Sequence, residues 1–250
     1  MQRQALDAYL KDYLQSERFR DYAPNGLQVE GKDEIHTIVT GVTACQALIE
    51  RAIKLGADAL LVHHGFFWKS EPATIVGMKQ RRIKALLAHD ISLFGFHLPL
   101  DGHPVIGNNA RLGEVIGFEN VRIVEQVPQN LLWCAELTAP VTPSEFTARI
   151  TERLGRAPIH LAAAKEMISS VAWCTGGAQD YIDTAYELGV DAFISGEASE
   201  RTFHSAVEQN VHYFAAGHHA TERYGIEALG QHLADKFGLQ HYFVDIDNPI

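Results

Sequence analysis

The sequence predicts an α/β fold made of two duplicated halves, each with a largely parallel sheet. Three observations carry that expectation: a self-match at a fixed offset, apolar runs of strand length, and helical periodicity between those runs. When the chain is slid on itself by 133 residues, Arg51–Gly65 (RAIKLGADALLVHHG) lies over Thr184–Ala198 (TAYELGVDAFISGEA). Ala52, Leu55, Gly56, Asp58 and Ala59 match Ala185, Leu188, Gly189, Asp191 and Ala192 without a gap, and Gln46 and Ile49 match Gln179 and Ile182 in the same frame.

Each copy opens on an apolar strand, TIVTGVT in the first and SSVAWCT in the second. A helix with apolar positions at i, i+3 and i+4 follows, closed by a glycine that can take the left-handed conformation helix ends favour. A second apolar strand comes next. Further along, KQRRIKALLAHD predicts a helix leading into the strand ISLFGFH, and ERTFHSAVEQN predicts its counterpart leading into HYFAAGH. Between the copies, NLLWCAELTA reads as a strand and SEFTARITERLG as a helix capped by Thr142 or Ser144. The expected domains are residues 1–125 and 126–250, with a soft boundary near Glu125.

Composition narrows the function classes. No apolar run approaches the ~20 residues of a membrane-spanning helix, and the amino terminus MQRQALDAYLKDYLQ lacks the core of a signal peptide. A soluble, cytoplasmic protein is expected. Cys45, Cys134 and Cys174 are odd in number and far apart, so they suggest neither disulfides nor a thiolate zinc site. The net charge of −10 argues against a protein built mainly to hold a phosphate backbone, although a local basic patch would still allow nucleic acid. No glycine-rich phosphate loop of the Walker type is present.

The thirteen histidines stand out, because neutral imidazole is the commonest metal ligand. His97-Leu98-Pro99-Leu100-Asp101 lies over His218-His219-Ala220-Thr221-Glu222, so each half ends a strand with histidine and places a carboxylate four residues later. If Ala220–Gln231 is helical, His218 and Glu222 share one face and can grip one ion; Pro99 turns the first copy into a turn. His63 and His64 sit where the strand ALLV runs out, and a backbone that turns there lets both rings reach one pocket. All these groups fall at the carboxyl ends of parallel strands, where open α/β sheets bind ligands. His63, His64, Asp101, His218 and Glu222 are therefore the expected metal ligands, in a site at the interface between the halves. His97 is open between ligand and a neighbour that orients one. His89, His103, His160, His204, His212, His232 and His241 are read as hydrogen-bonded or exposed residues, and His219 as turned away from the ligand face.

With these residues in view, the chain resembles the GTP cyclohydrolase 1 type 2 homologue family. The resemblance rests on Asn25-Gly26-Leu27-Gln28-Val29, the LLVHHG segment, His97-x3-Asp101, Gly107-Asn108-Asn109-Ala110-Arg111-Leu112 and Gly217-His218-x3-Glu222, and it runs nearly end to end. It implies a dinuclear site ligated by His63, His64, Asp101, His218 and Glu222, with Glu222 bridging. It also implies a toroidal homohexamer of two stacked trimers. Leu98 and Pro99 stand where family members often carry threonine and asparagine, which makes the pocket wall less polar.

Five nitrogen and oxygen ligands without thiolate suit iron, manganese or zinc, as two divalent or ferric ions. Ions ~3.5–4 Å apart under a bridging carboxylate favour hydrolysis. The expected activity is a metal-dependent hydrolase acting on a nucleotide or other small phosphorylated substrate, with His97 as proton shuttle and Arg223 and Lys69 available to meet an anion. Two other readings stand beside it: a non-catalytic metal carrier or insertion factor, and an oligomeric ring that binds protein or nucleic acid.

Overall fold

Alternating stretches of β-branched residues and amphipathic helix give the chain its element order. In the computed structural model, which describes residues 1–250, these elements are α1 (Arg3–Tyr13), β1 (Gly26–Val29), β2 (Thr37–Thr43), α2 (Gln46–Lys54), β3 (Ala59–His64), α3 (Gly77–Ala88), β4 (Ser92–Gly95), α4 (Leu98–Asp101), α5 (Asn108–Ile116), β5 (Arg122–Ile123) and β6 (Trp133–Val141). They continue as α6 (Pro143–Leu154), β7 (Ile159–Leu161), β8 (Ile168–Trp173), α7 (Ile182–Glu187), β9 (Ala192–Ser195), α8 (Glu200–Glu208), β10 (His212–Ala215), α9 (His218–Phe237) and β11 (Gln240–Phe243). The α/β class is as expected. No helix is long and apolar enough to cross a membrane.

Two compact units emerge. The first holds Met1–Leu100 and Gly225–Asp247, and the second holds Asp101–Tyr224 and Asn248–Ile250. The first unit contains a five-stranded sheet in the order β1-β4-β3-β2-β11. Its four strands β4, β3, β2 and β11 run parallel, and β1 closes the edge antiparallel to β4. Strand β3 is central and buried, so its near-continuous apolar run, Ala59-Leu60-Leu61-Val62, is what a strand covered on both faces requires. The second unit contains a six-stranded sheet, β5-β6-β8-β9-β10-β7, whose parallel strands β8, β9 and β10 are flanked by antiparallel partners. Its core gathers Trp173, Phe146, Ile194 and Phe214, all fully buried.

Helix α6 starts where its sequence signal lies. Thr142 caps it, accepting from the Glu145 backbone N–H at 3.2 Å while Glu145 accepts the Thr142 N–H at 2.8 Å. Pro99 does not prevent a helical turn: Leu98–Asp101 forms one. Proline is tolerated there because a first-turn N–H has no helical acceptor to lose.

The duplication reaches into hydrogen bonds. Asp58 accepts the backbone N–H groups of His36 and Thr37, both at 3.0 Å, and pairs with Lys32 at 2.9 Å. Asp191 accepts those of Ser169 and Ser170, at 2.8 and 3.1 Å, and pairs with Lys165 at 2.7 Å. Every partner in the second set is the first set displaced by the same 133 positions. Gly56 and Gly189, at φ +68° and +73°, end α2 and α7 in the left-handed region, where a side chain would be strained.

Burial works to raise the pKa of Asp58, but the Lys32 hydrogen bond and the backbone donors outweigh it and hold the carboxyl below its ordinary value. A carboxyl whose pKa falls on folding stabilises the native state fully above the unfolded value of ~3.9, and the stabilisation drains away as pH falls through the lower folded value. Asp58→Asn should therefore cost about 1–3 kcal/mol at neutral pH, since the amide offers one acceptor oxygen where the carboxylate uses two. Urea unfolding of both proteins across pH should show the gap narrowing below pH ~4; a gap that stays constant would rule out the charge as its source.

Candidate metal centre

In the first unit, the strand end at β3 and the segment after β4 bring three imidazoles together. One ring nitrogen from each of His63, His64 and His97 lies within 4.8 Å of the others. The rings of His63 and His64 are centred 4.5 Å apart, so consecutive residues at the end of β3 reach one place, as the turning backbone allows. Each ring is held through Nδ1. His63, almost fully buried, donates to the Phe96 carbonyl at 2.9 Å; His64 meets the Thr43 hydroxyl at 3.1 Å; His97 donates to Asp21 at 2.7 Å. A carbonyl or carboxylate partner fixes the proton on Nδ1, which leaves the Nε2 lone pair as the ligating atom.

Asp21 is a built anchor for His97. Its carboxylate accepts the Leu98 N–H at 2.9 Å, the Asn25 side-chain amide at 2.9 Å and the Tyr22 N–H at 2.6 Å, besides the His97 ring. Asn25 in turn accepts the His97 backbone N–H at 2.8 Å. Burial opposes ionisation of Asp21, yet these donors and the His97 charge lower its pKa to about 2.

In the second unit, the donors are two buried carboxylates and one histidine. Asp101 and Glu222 are 5% and 3% exposed, which is rare for acids without a compensating cation. One oxygen from each lies within 4.8 Å of the other. His218 opens α9, so Glu222 stands one turn later, and its Oε2 lies 3.0 Å from His218 Nε2. His218 Nδ1 is held by Glu197 Oε1 at 2.6 Å. Burial works against a charge on His218, but Glu222 and then Glu197 raise its pKa to about 9.

The GNNARL motif supports Asp101. The Asn108 amide donates to its carboxylate at 2.8 Å and the Thr175 hydroxyl donates to it at 3.2 Å, while the Asn109 side chain bridges the Asp101 backbone carbonyl and the Thr175 N–H. Gly176 is required beside Glu222, because a Cβ there would collide with the Glu222 carboxylate. Cys174 is buried, and burial together with the Asp101 and Glu222 charges pushes its thiol pKa well up, so it stays neutral.

This donor set fits metal ions. Imidazoles whose second nitrogen is already bound, and a carboxylate held by an amide and a hydroxyl, form the usual surroundings of a nitrogen–oxygen site. The remaining histidines are engaged elsewhere; His212, for instance, bonds His160 at 3.0 Å and the Lys165 carbonyl at 2.8 Å. Arg223 is committed to structure, donating to the Leu154 carbonyl at 2.7 Å. Sequence reasoning missed Asp21 and Glu197. Glu197 carried a signal, since it is the repeat partner of His64 at the same offset of 133. Asp21 carried none.

The family model described as Duf34/NIF3 (NGG1p interacting factor 3) matches residues 1–249. The chain is similar to the GTP cyclohydrolase 1 type 2 homolog of Vibrio cholerae, 55% identical over 247 residues and 98% of each chain. It is similar also to that of Escherichia coli K12, 51% identical over 250 residues and the whole of both chains. Among solved structures, protein ybgI aligns over both full chains with a TM-score of 0.96 and 52% identity. A Thermus thermophilus protein aligns equally fully, with a TM-score of 0.89 and 29% identity.

Proposed function

The chain belongs to the Duf34/NIF3 family, and from that premise we propose that it is a cytoplasmic dinuclear metal-dependent hydrolase acting on a nucleotide or small phosphorylated substrate. His63, His64, Asp101, His218 and Glu222 are the ligands in this reading, with Glu222 bridging. One observation carries it: Glu222, buried and negatively charged, has both His218 and the Asp101 carboxylate within ligand reach. Two buried acids beside His218 call for more positive charge than one imidazolium supplies. The relatives' name, GTP cyclohydrolase 1 type 2 homolog, supports a nucleotide substrate.

Iron, zinc or manganese held by these donors would supply Lewis acidity and a nucleophilic water at neutral pH. The chain's own contribution is positioning and proton movement. His97, with Nδ1 donating to Asp21, presents Nε2 as the base that takes a proton from the attacking group and returns it to the leaving group. Asp21 stays anionic throughout and stabilises the imidazolium that forms. Asn108 and Thr175 hold Asp101 in place through their hydrogen bonds to its carboxylate.

Metal analysis of the purified chain, followed by a nucleotide and phosphoester panel on the same preparation, tests the reading. Two equivalents with turnover are expected. Two equivalents without turnover on any member would favour the carrier reading, and stoichiometric transfer of metal to an acceptor protein would establish it. The homohexamer is proposed on the same family basis, as a ring whose rotation closes. Light scattering should give about six times 27.7 kDa, and a monomer at micromolar concentration would refute it.

A further inference from the structure

Beside the Asp21–His97 pair, the first unit opens a cavity of about 720 Å³, within the range of small-molecule sites. Its walls combine Arg20 and Lys69, the acids Glu17 and Asp21, and the rings of Phe19, Tyr22 and Phe67. Lys11 also lines it but is committed to Asp7 at 2.6 Å. Asp21 and Asn25 form the side that holds His97.

Three features of this wall bear on what it could hold. Tyr22 is 65% exposed, yet its ring stands 6.5 Å from that of His97. Lys69 brings its ammonium to the Asp21 carbonyl, at 2.6 Å, and its N–H to the Tyr22 carbonyl, at 2.8 Å, so a cation is fixed next to the residue that orients His97. Phe67 sits at φ +65°, a conformation bulky residues avoid. The loop forces it there: Glu71 accepts the Phe67 N–H at 2.8 Å and pairs with the buried Lys79 at 3.5 Å, and Lys79 lies 5.0 Å from the Phe67 ring centre.

We propose that this pocket receives a nucleoside phosphate, with its ring against Tyr22 and Phe67 and its phosphate on Arg20 and Lys69. The proposal rests on the hydrolase reading and specifies where that site holds its substrate. Aromatic faces stack on any base, and paired cations meet phosphate oxygens without reading sequence or base identity. A ligand so placed would lie beside Asp21 and Asn25, which hold the imidazole that moves the proton.

Calorimetric titration of GMP, guanosine and inorganic phosphate into the full chain tests it, with metal content measured on every preparation. The double variant Arg20→Glu/Lys69→Glu should weaken GMP at least about tenfold and leave guanosine unchanged. Tyr22→Ala should weaken GMP and guanosine alike, by about tenfold. Arg20→Gln/Lys69→Gln should show a smaller loss in the same direction, which guards against misfolding of the charge-reversed form. None of the substitutions should change metal content. GMP binding untouched by both changes, or GMP ignored by a fully metallated chain, would overturn the pocket and leave the metal centre standing. The expected GMP pattern in a chain that holds no metal would do the reverse.

Discussion

Protein carrying Glu222→Ala should lose more than one of its two metal equivalents while remaining folded. A bridging carboxylate serves both ions, so its removal weakens both at once, whereas loss of a terminal ligand weakens one. Glu222 sits one turn into α9, and its neighbour Thr221 keeps its own bonds, accepting the Gly176 N–H at 3.1 Å and donating to the Gly217 carbonyl at 2.9 Å. The fold therefore has little reason to fail, and Glu222→Gln, of equal volume, provides the control. Elemental analysis that finds two full equivalents in Glu222→Ala would end the dinuclear reading. Loss of one ion alone would make Glu222 terminal and place the bridge elsewhere. Glu197→Gln, which only loosens the hold on His218, should lower metal affinity by no more than the ~10–100-fold usual for residues behind the ligands.

His97→Ala should keep both ions and lower turnover by roughly 10²–10⁴-fold, the contribution of a positioned acid–base group. His97 lies with His63 and His64, but it is the ring tied to Asp21, whose carboxyl its donors hold well below the usual range, an arrangement that fixes the tautomer and stabilises an imidazolium. Asp21→Asn should retain the metals and fall between the wild type and His97→Ala in rate, because the amide still bonds Nδ1 without its charge. Metal content and rate must be read on one preparation. Metal loss in His97→Ala would make His97 a sixth ligand and remove the shuttle, and full activity would leave it with no part in the chemistry.

The amino-acid order by itself determined the features that repeat at short range. The strand β2 and the caps at Thr142, Gly56 and Gly189 follow from periodicity and local backbone preference. The duplicated Asp58 and Asp191 follow from one common frame, and so do His97 and His218 in theirs. His218 and Glu222 could be paired from spacing alone, because four residues on a helix make one turn. Only the tertiary structure decided which distant groups answer them. Asp21 reaches His97 across 76 positions, and Glu197 reaches His218 across 21. The end of the chain returns β11 to the edge of the first sheet, against β2. Arg223, available in the sequence to meet an anion, donates to the Leu154 carbonyl, while Tyr22 and Phe67 turn out to wall a cavity. The physical reason is the range of the forces involved. Helix and strand periodicity is written in neighbours three to four or two residues apart, whereas the partner of a buried charge is set by whichever donor the packed backbone brings within hydrogen-bond reach.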